Sequence, residues 1–197
     1  MAVALSSFEL RRVVEELREL VGAKIEKVFQ QAPPKDEFLF VLHIPGRGKQ
    51  YLYVLLPEII CLSSFKPSFP DTPPHFCASL RRKITNARIT NIAIDGFDRV
   101  VHIDVQTKNG ESRLVIECVA PGNMVLHLPN GKILSVLHPK VYGQERKLLP
   151  GRQYVPPAPQ RNPYSLSREQ FIRVVAESQK DSLVKALAVE CSLGGVY

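Results

Sequence analysis

The stretch DGFDRVVHIDVQTKNGESRLVIEC, residues 95–118, decides how this chain folds. Over 99–106, Val101, Ile103 and Val105 alternate with polar positions, the period of two expected of a strand. Residues 113–118 form a second apolar run. Asn109-Gly110 between them is a two-residue hairpin signal, because both residue types accept positive φ. Strands joined by so short a turn pair antiparallel. The pattern extends in both directions. Strands are expected over 88–94 before this stretch and over 124–128 and 133–137 after it, with Asn130-Gly131 as another hairpin signal. Earlier, Ile25, Val28 and Phe29 open a strand, and 38–44 reads as a second, central one. Pro45-Gly46-Arg47-Gly48 turns the chain into 51–56, and 59–62 is a short fourth strand. The expected fold class is α+β, a two-layer antiparallel β-sandwich with flanking helices and a short C-terminal helical segment.

The helices announce themselves by their starts. Ser6 and Glu9 form a capping box, Leu5 and Leu10 its staple, and Leu10, Val13, Val14, Leu17, Leu20 and Val21 a single apolar stripe that Gly22 ends. Residues 75–84 form a short helix with Phe76, Leu80 and Ile84 inward. Before it, Pro67, Pro70, Pro73 and Pro74 stiffen a surface crossing over 66–74. Five prolines in 150–163 mark a linker or surface strap. The segment 166–171 repeats the capping-box pattern, and helices are expected over 168–177 and 183–191. This divides the chain into a β-rich domain, 1–164, and the start of a helical region, 165–197.

With 45% hydrophobic and 23% charged residues, the 197-residue chain has the composition of an ordered domain plus an appendage. No apolar run approaches the ~18–20 residues of a membrane span. The first ten residues lack the pattern of a secretory signal, so the expected compartment is cytoplasmic. Cys61, Cys77, Cys118 and Cys191 fit no zinc spacing and lie among apolar neighbours, as small buried thiols do, and the five histidines are scattered. No metal or cofactor is expected. Net charge is +7, and it is regional: between Thr72 and Ile94 there are four basic residues and no acid, whereas the first thirty residues are balanced. Such a field favours an acidic partner, nucleic acid foremost.

Six pieces of the sequence resemble the N-terminal module of the NFACT family, relatives of bacterial RqcH and eukaryotic NEMF, some of which carry the name fibronectin-binding protein. They are Ser7-Phe8-Glu9-Leu10 with Val13-Val14-Glu15-Glu16-Leu17; Phe76-Cys77-Ala78-Ser79-Leu80-Arg81-Arg82-Lys83; Gly96-Phe97-Asp98-Arg99-Val100-Val101; Ile116-Glu117 leading to Gly122-Asn123-Met124-Val125-Leu126; Pro150-Gly151-Arg152-Gln153-Tyr154 with Pro156-Pro157; and Leu193-Gly194-Gly195-Val196-Tyr197. The resemblance implies a fold like the N-terminal domain of the Fpg/MutM glycosylases followed by a helix-hairpin-helix region. It implies a non-enzymatic role in ribosome-associated quality control: binding tRNA and the large ribosomal subunit that carries stalled peptidyl-tRNA, and supporting C-terminal tail addition without mRNA. The family's coiled-coil arm and C-terminal RNA-binding module do not appear in these 197 residues, which read as an amino-terminal fragment.

The family's Asp-Arg pair falls on Asp98-Arg99, and its N-terminal acid on Glu9, one methylene longer than the usual Asp. Together they are the expected tRNA-recognition residues. Arg99 offers a planar fork for phosphate or base edge, and Asp98 an acceptor for a 2′-hydroxyl or base amine. The plainer readings are a cap for Glu9 and, for the pair, a turn acid beside an ordinary Arg99–Glu117 ion pair contributing about 0–1 kcal/mol. A regular strand from residue 98 would send the two side chains to opposite faces, so a joint site requires a turn or bulge at Gly96-Phe97-Asp98. Arg81, Arg82, Lys83 and Arg88 suit non-selective phosphate attraction, or equally a solvated helix end. Gly122-Asn123 reads as a turn rather than a ligand loop. The alternative function is a DNA glycosylase or lyase, suggested by fold alone; the chain begins Met1-Ala2-Val3 and lacks the Pro-Glu start of those enzymes. An extracellular adhesion protein is a third reading, disfavoured by the absent signal and the basic charge.

Overall fold

In the computed structural model, which describes residues 5–159 and 161–191, antiparallel strands make up most of the regular secondary structure. They are β1 (Lys24–Gln30), β2 (Glu37–Ile44), β3 (Gly48–Leu55), β4 (Ile59–Ser63), β5 (Arg88–Ile94), β6 (Val100–Thr107), β7 (Gly110–Glu117), β8 (Asn123–His127) and β9 (Ile133–Val136). They hydrogen-bond in the order β4-β3-β2-β1-β5-β6-β7-β8-β9. Helix α1 (Ser7–Leu17) starts at the expected capping box, where the Ser6 hydroxyl accepts from the Glu9 amide and Glu9 accepts from the Ser6 amide. Helix α2 (His75–Ile84) follows the proline-rich crossing. Helices α3 (Arg168–Ala176), with a second box at Ser167 and Gln170, and α4 (Leu183–Glu190) close the described chain. The terminal Leu193-Gly194-Gly195-Val196-Tyr197 lies outside the described residues.

The strands make one continuous sheet, and the two layers are its two halves. Between β1 and β5 the ladder has the single strand pair Lys24–Arg88. Around it, backbone bonds tie Gly22 and Ala23 to Ile89, and Ile25 to Asn86 and Ala87. From this seam the halves fold over one another. The β3–β4 turn at Leu56-Pro57 meets the β7–β8 turn, where a Cβ on Gly122 would stand 2.9 Å from the Leu56 Cβ. Phe38, Phe40 and Leu42 of one half, Ile103, Leu114 and Ile116 of the other, and Leu10, Val14, Phe76 and Leu80 of the helices share one core. Each such side chain, fully buried, contributes about 1.5–3 kcal/mol.

The second face of β6–β8 is covered too. Val100, Val115, Val125, Ile133, Val136 and Leu148 form a smaller core, closed by Tyr142 and Tyr154. Its cover is a hairpin of β10 (Lys140–Tyr142) and β11 (Arg146–Leu148), which the sequence reading does not contain. The strap beyond it bonds back onto the sheet edge: Ile133 donates to Arg152, Gly151 to Ile133, and Tyr154 to Gly131. Two further expectations shift. Thr107 pairs with Gly110, so the hairpin loop is Lys108-Asn109 and Gly110, at φ +116°, already begins β7. Glu117 does not pair with Arg99. It accepts from Arg146 and from the Tyr154 hydroxyl at 2.9 Å, because the β10–β11 hairpin delivers the first donor and the strap the second onto the buried face. Asn123 is 2% exposed and structural, accepting from the amides of Met124 and His138 and donating to the His138 carbonyl.

The contact between the two turns generates a stability prediction. Gly122→Ala combines φ +90° with a Cβ pressed on Leu56 and Pro57. It should lower unfolding free energy by about 2–4 kcal/mol. Gly143→Ala, at φ +63° in open space, should lose only about 1–2 kcal/mol. Urea denaturation of both variants checks the ranking, and equal losses would show that the turns do not press on each other.

Candidate functional site

Between β5 and β6, residues 95–99 leave the sheet. The Asp98 amide donates to the Asp95 carbonyl at 3.0 Å, closing a turn, and regular pairing resumes at Val100. Strand alternation therefore does not run through Asp98. Arg99 still accepts from the Cys118 amide through its carbonyl, at 2.8 Å, which anchors the end of the turn to the β7 edge. Asp98 and Arg99 are both half-buried. Cys118, fully covered, has its thiol pushed up to about 12 by burial, so it stays protonated and inert beside Arg99.

Three aromatic rings hold this turn to the first turn of α1. Phe97 is 1% exposed and meets Phe8 edge-on at 4.9 Å. Tyr164 joins both, 5.2 Å from Phe8 and 6.0 Å from Phe97. Arg11 donates to the Gly96 carbonyl at 2.8 Å and lies over the Tyr164 ring. The segments that carry Glu9 and Asp98-Arg99 are thus packed side by side. Phe8, Arg11, Phe97 and Tyr164 are absent from the sequence-derived site, since residues 8, 97 and 164 have no local pattern in common. Glu9 is exposed, and one carboxylate oxygen takes both the amide and the hydroxyl of Ser6, each at 2.8 Å. Those hydrogen bonds hold its carboxyl below the ordinary glutamate range.

The four basic residues over 81–88 have separate environments. The Arg81 side chain donates to the Val28 carbonyl at 2.6 Å and lies over the Phe29 ring. Arg88 donates to the Gly22 carbonyl at 2.7 Å. Arg82 is exposed and Lys83 half-buried on α2. Of the cysteines, Cys77, Cys118 and Cys191 are buried and Cys61 half-buried. Among the described residues, no group of three or more His, Cys, Asp or Glu side chains is placed to hold a metal ion, and no helix is long and apolar enough to cross a membrane.

Behind the turn sits His102, 4% exposed. Its Nε2 lies 2.8 Å from a carboxylate oxygen of Asp95 but without the alignment of a hydrogen bond, and its Nδ1 has no partner. Burial lowers its pKa, and the nearby Asp95 charge only partly offsets this. His127, stacked on Tyr154 at 5.2 Å, is likewise lowered by burial.

A profile of the family described as NFACT N-terminal and middle domains matches residues 6–197. The archaeal Rqc2 homolog aRqcH of Methanocaldococcus jannaschii is 28% identical over 197 residues, covering 94% of this chain and 29% of that protein. The Rqc2 homolog RqcH of Streptococcus pneumoniae is 28% identical over 187 residues, covering 88% of this chain and 34% of that protein. The chain thus spans about a third of the length of these relatives. Among solved structures, the N-terminal domain of the fibronectin-binding protein PavA from Streptococcus pneumoniae superposes with a TM-score of 0.73 at 28% identity, covering 89% of this chain and 69% of that one. The N-terminal part of the fibronectin/fibrinogen-binding protein of Streptococcus suis, at 23% identity and a TM-score of 0.74, shares the fold over 89% of this chain and 70% of its own.

The buried histidines set a pH dependence. Their folded pKa values lie below the unfolded value of about 6.5, so the unfolded chain binds more protons as pH drops beneath it. Stability should be full above about pH 7 and fall on acidification toward pH 5. Glu9, also depressed, contributes its loss only below about pH 4.5. Urea midpoints at pH 7.5 and 5.5 test this; a midpoint that is flat or higher at 5.5 would contradict it.

Proposed function

The chain belongs to the family of NFACT N-terminal and middle domains, and from that premise we propose that it is the RNA-binding module of a ribosome-associated quality-control factor. In this reading Asp98, Arg99 and Glu9 contact tRNA at the rim where the 95–99 turn packs on α1. Arg81, Arg82, Lys83 and Arg88 add sequence-independent attraction to RNA phosphates. The partners are tRNA and a large ribosomal subunit that holds stalled peptidyl-tRNA, and the site of action is the cytoplasm. The module orients RNA, and the bond-making step in tail addition belongs to the ribosome. Residues 165–197 are taken as the start of the helical region that follows the β-rich domain.

The observation that carries this proposal is the break in strand alternation at 95–99, closed by the Asp98–Asp95 backbone bond and clamped by Phe8, Phe97 and Arg11. An acid and a base on an irregular rim are free of the opposite-face constraint of a strand. An acid that repels phosphate points to selective contact with a base or ribose rather than to backbone affinity alone. Names of the relatives support the ribosomal setting. Neither the family description nor those names mention a glycosylase, and that alternative is not carried further.

Two sets of variants test the reading. In the full-length protein, Asp98→Ala should abolish tail addition and leave ribosome co-sedimentation largely intact. If ribosome association is lost while the fold survives, the site anchors the ribosome instead. Glu9→Gln separates charge from cap, because Gln170 makes the same reciprocal cap at the start of α3. It should leave unfolding free energy within about 0.5 kcal/mol, whereas Glu9→Ala should cost about 0.5–1.5 kcal/mol. A Glu9→Gln variant with full tRNA affinity would remove Glu9 from the site. Binding of tRNA should also exceed that of duplex DNA across salt; equal affinity for both at every salt concentration would overturn the RNA reading.

A further inference from the structure

Away from the rim, the proline-rich crossing folds over β1 and α2 to form an open cleft of about 540 Å³, lined by Lys27, Phe29, Lys66, Phe69, Asp71 and Arg81 among others. Its centre is the Phe29 ring. Lys66 Nζ stands 4.1 Å from the ring centroid, Lys27 Nζ 5.0 Å and the Arg81 guanidinium carbon 5.3 Å. Phe69 stacks on the same ring, with centroids 5.5 Å apart and planes 25° apart. Among the described residues, none of the three cations lies within 4 Å of a carboxylate oxygen.

One ring face attracts a cation, but three positive groups around one ring repel one another. The fold holds them there: Arg81 by its bond to the Val28 carbonyl, Lys27 on β1, Lys66 on a segment stiffened by Pro67 and Pro70. Asp71 at the margin leaves the cleft with a net positive charge. Three convergent positive groups suit an anion, and the half-buried Phe69 adds an aromatic surface that a simple anion does not use. Convergent cations beside a stacked aromatic pair are what a nucleotide needs, phosphate on the charges and base on the ring.

We propose that this cleft is a second RNA-contact site, taking one nucleotide of a single strand with its phosphate against Lys27, Lys66 and Arg81 and its base against Phe69. It extends the RNA-binding reading to a place remote from the rim. β1 and β5 run antiparallel from the pair Lys24–Arg88, so Phe29 and the 95–99 turn lie toward opposite ends of the sheet.

The test is fluorescence anisotropy of a labelled eight-nucleotide oligouridylate with the 197-residue chain over a salt series. The double variant Lys27→Gln/Lys66→Gln should weaken binding at least tenfold at low salt and flatten the log–log salt slope by up to about 0.7, the value for the one phosphate contact. Phe69→Leu should weaken it by about 5- to 100-fold with the slope unchanged. Lys108→Gln/Lys147→Gln, at two exposed positions away from the cleft, is the charge-matched control and should bind within about twofold of the parent. Unchanged urea midpoints show that the variants are folded. Parent-like affinity in both cleft variants, or no binding by the parent chain, overturns the proposal. A loss seen in Asp98→Ala alone overturns the cleft and leaves the rim standing. Displacement of oligouridylate by polyglutamate at equal charge concentration, with Phe69→Leu silent, makes the cleft an acidic-peptide groove and overturns it as well.

Discussion

Strands β6, β7 and β8 are buried on both faces over most of their length, and this double burial dictates what surrounds them. One face enters the main core and the other the smaller one under the β10–β11 hairpin. A strand without a solvent face cannot carry an acid unless a partner arrives with it. Glu117 is 4% exposed, and the hairpin and strap that cover it also bring Arg146 and Tyr154 to its carboxylate. Burial first, then the Glu117 charge, pushes the Tyr154 phenol up, so its hydroxyl remains a donor at neutral pH. Breaking such a pair from one side costs about 3–5 kcal/mol. The β10–β11 hairpin therefore serves as both cover and counter-ion. With the faces of β6, β7 and β8 consumed by packing, exposed polar groups are left to turns, helix starts, crossings and the outer face of strands such as β1.

Most of the architecture was readable because it rests on local rules. Ser6 with Glu9, and Ser167 with Gln170, start helices where a reciprocal cap satisfies amides that no helix turn can reach. The period of two located β5 to the residue and the other long strands to within three residues at either end. Elements that depend on distant partners were not readable. The three-residue strands Lys140–Tyr142 and Arg146–Leu148 are too short to show a period. The partner of Glu117 is not legible locally: Arg99 is the nearer base in the sequence, whereas Arg146 arrives only with the β10–β11 hairpin. The hairpin loop slipped by one residue because Gly110 can open a strand as well as occupy a turn. At the rim, the sequence alone stated the condition that alternation must break at Phe97-Asp98, but it gave no sign of Phe8, Arg11 and Tyr164. The Phe29 cleft has no local signature, since its cations come from β1, the crossing and α2.

The ring cluster at the rim also links the two parts of the chain. Tyr164, although 68% exposed, touches Phe8 and Phe97 just before α3 begins. Aromatic pairs of this geometry contribute about 0.5–1.5 kcal/mol each beyond their buried area. Beyond Tyr164, α3 and α4 leave Ile172, Leu183, Val184 and Val189 more than half exposed. Two short helices bury little apolar surface by themselves; α3 and α4 pack on each other, and Arg161 donates to the Glu190 carbonyl at the end of α4.

The seam at Lys24–Arg88 carries a metric consequence. β1 and β5 leave it in opposite directions, each at about 3.3 Å per residue. The separation of the two sheet ends is then set by residue count along a hydrogen-bonded backbone and not by side-chain reach. Any partner gripped at both ends is measured against a fixed gauge. Under the RNA contacts proposed for the rim and the cleft, that gauge distinguishes a strand of matching span from a free nucleotide, which reaches one end alone.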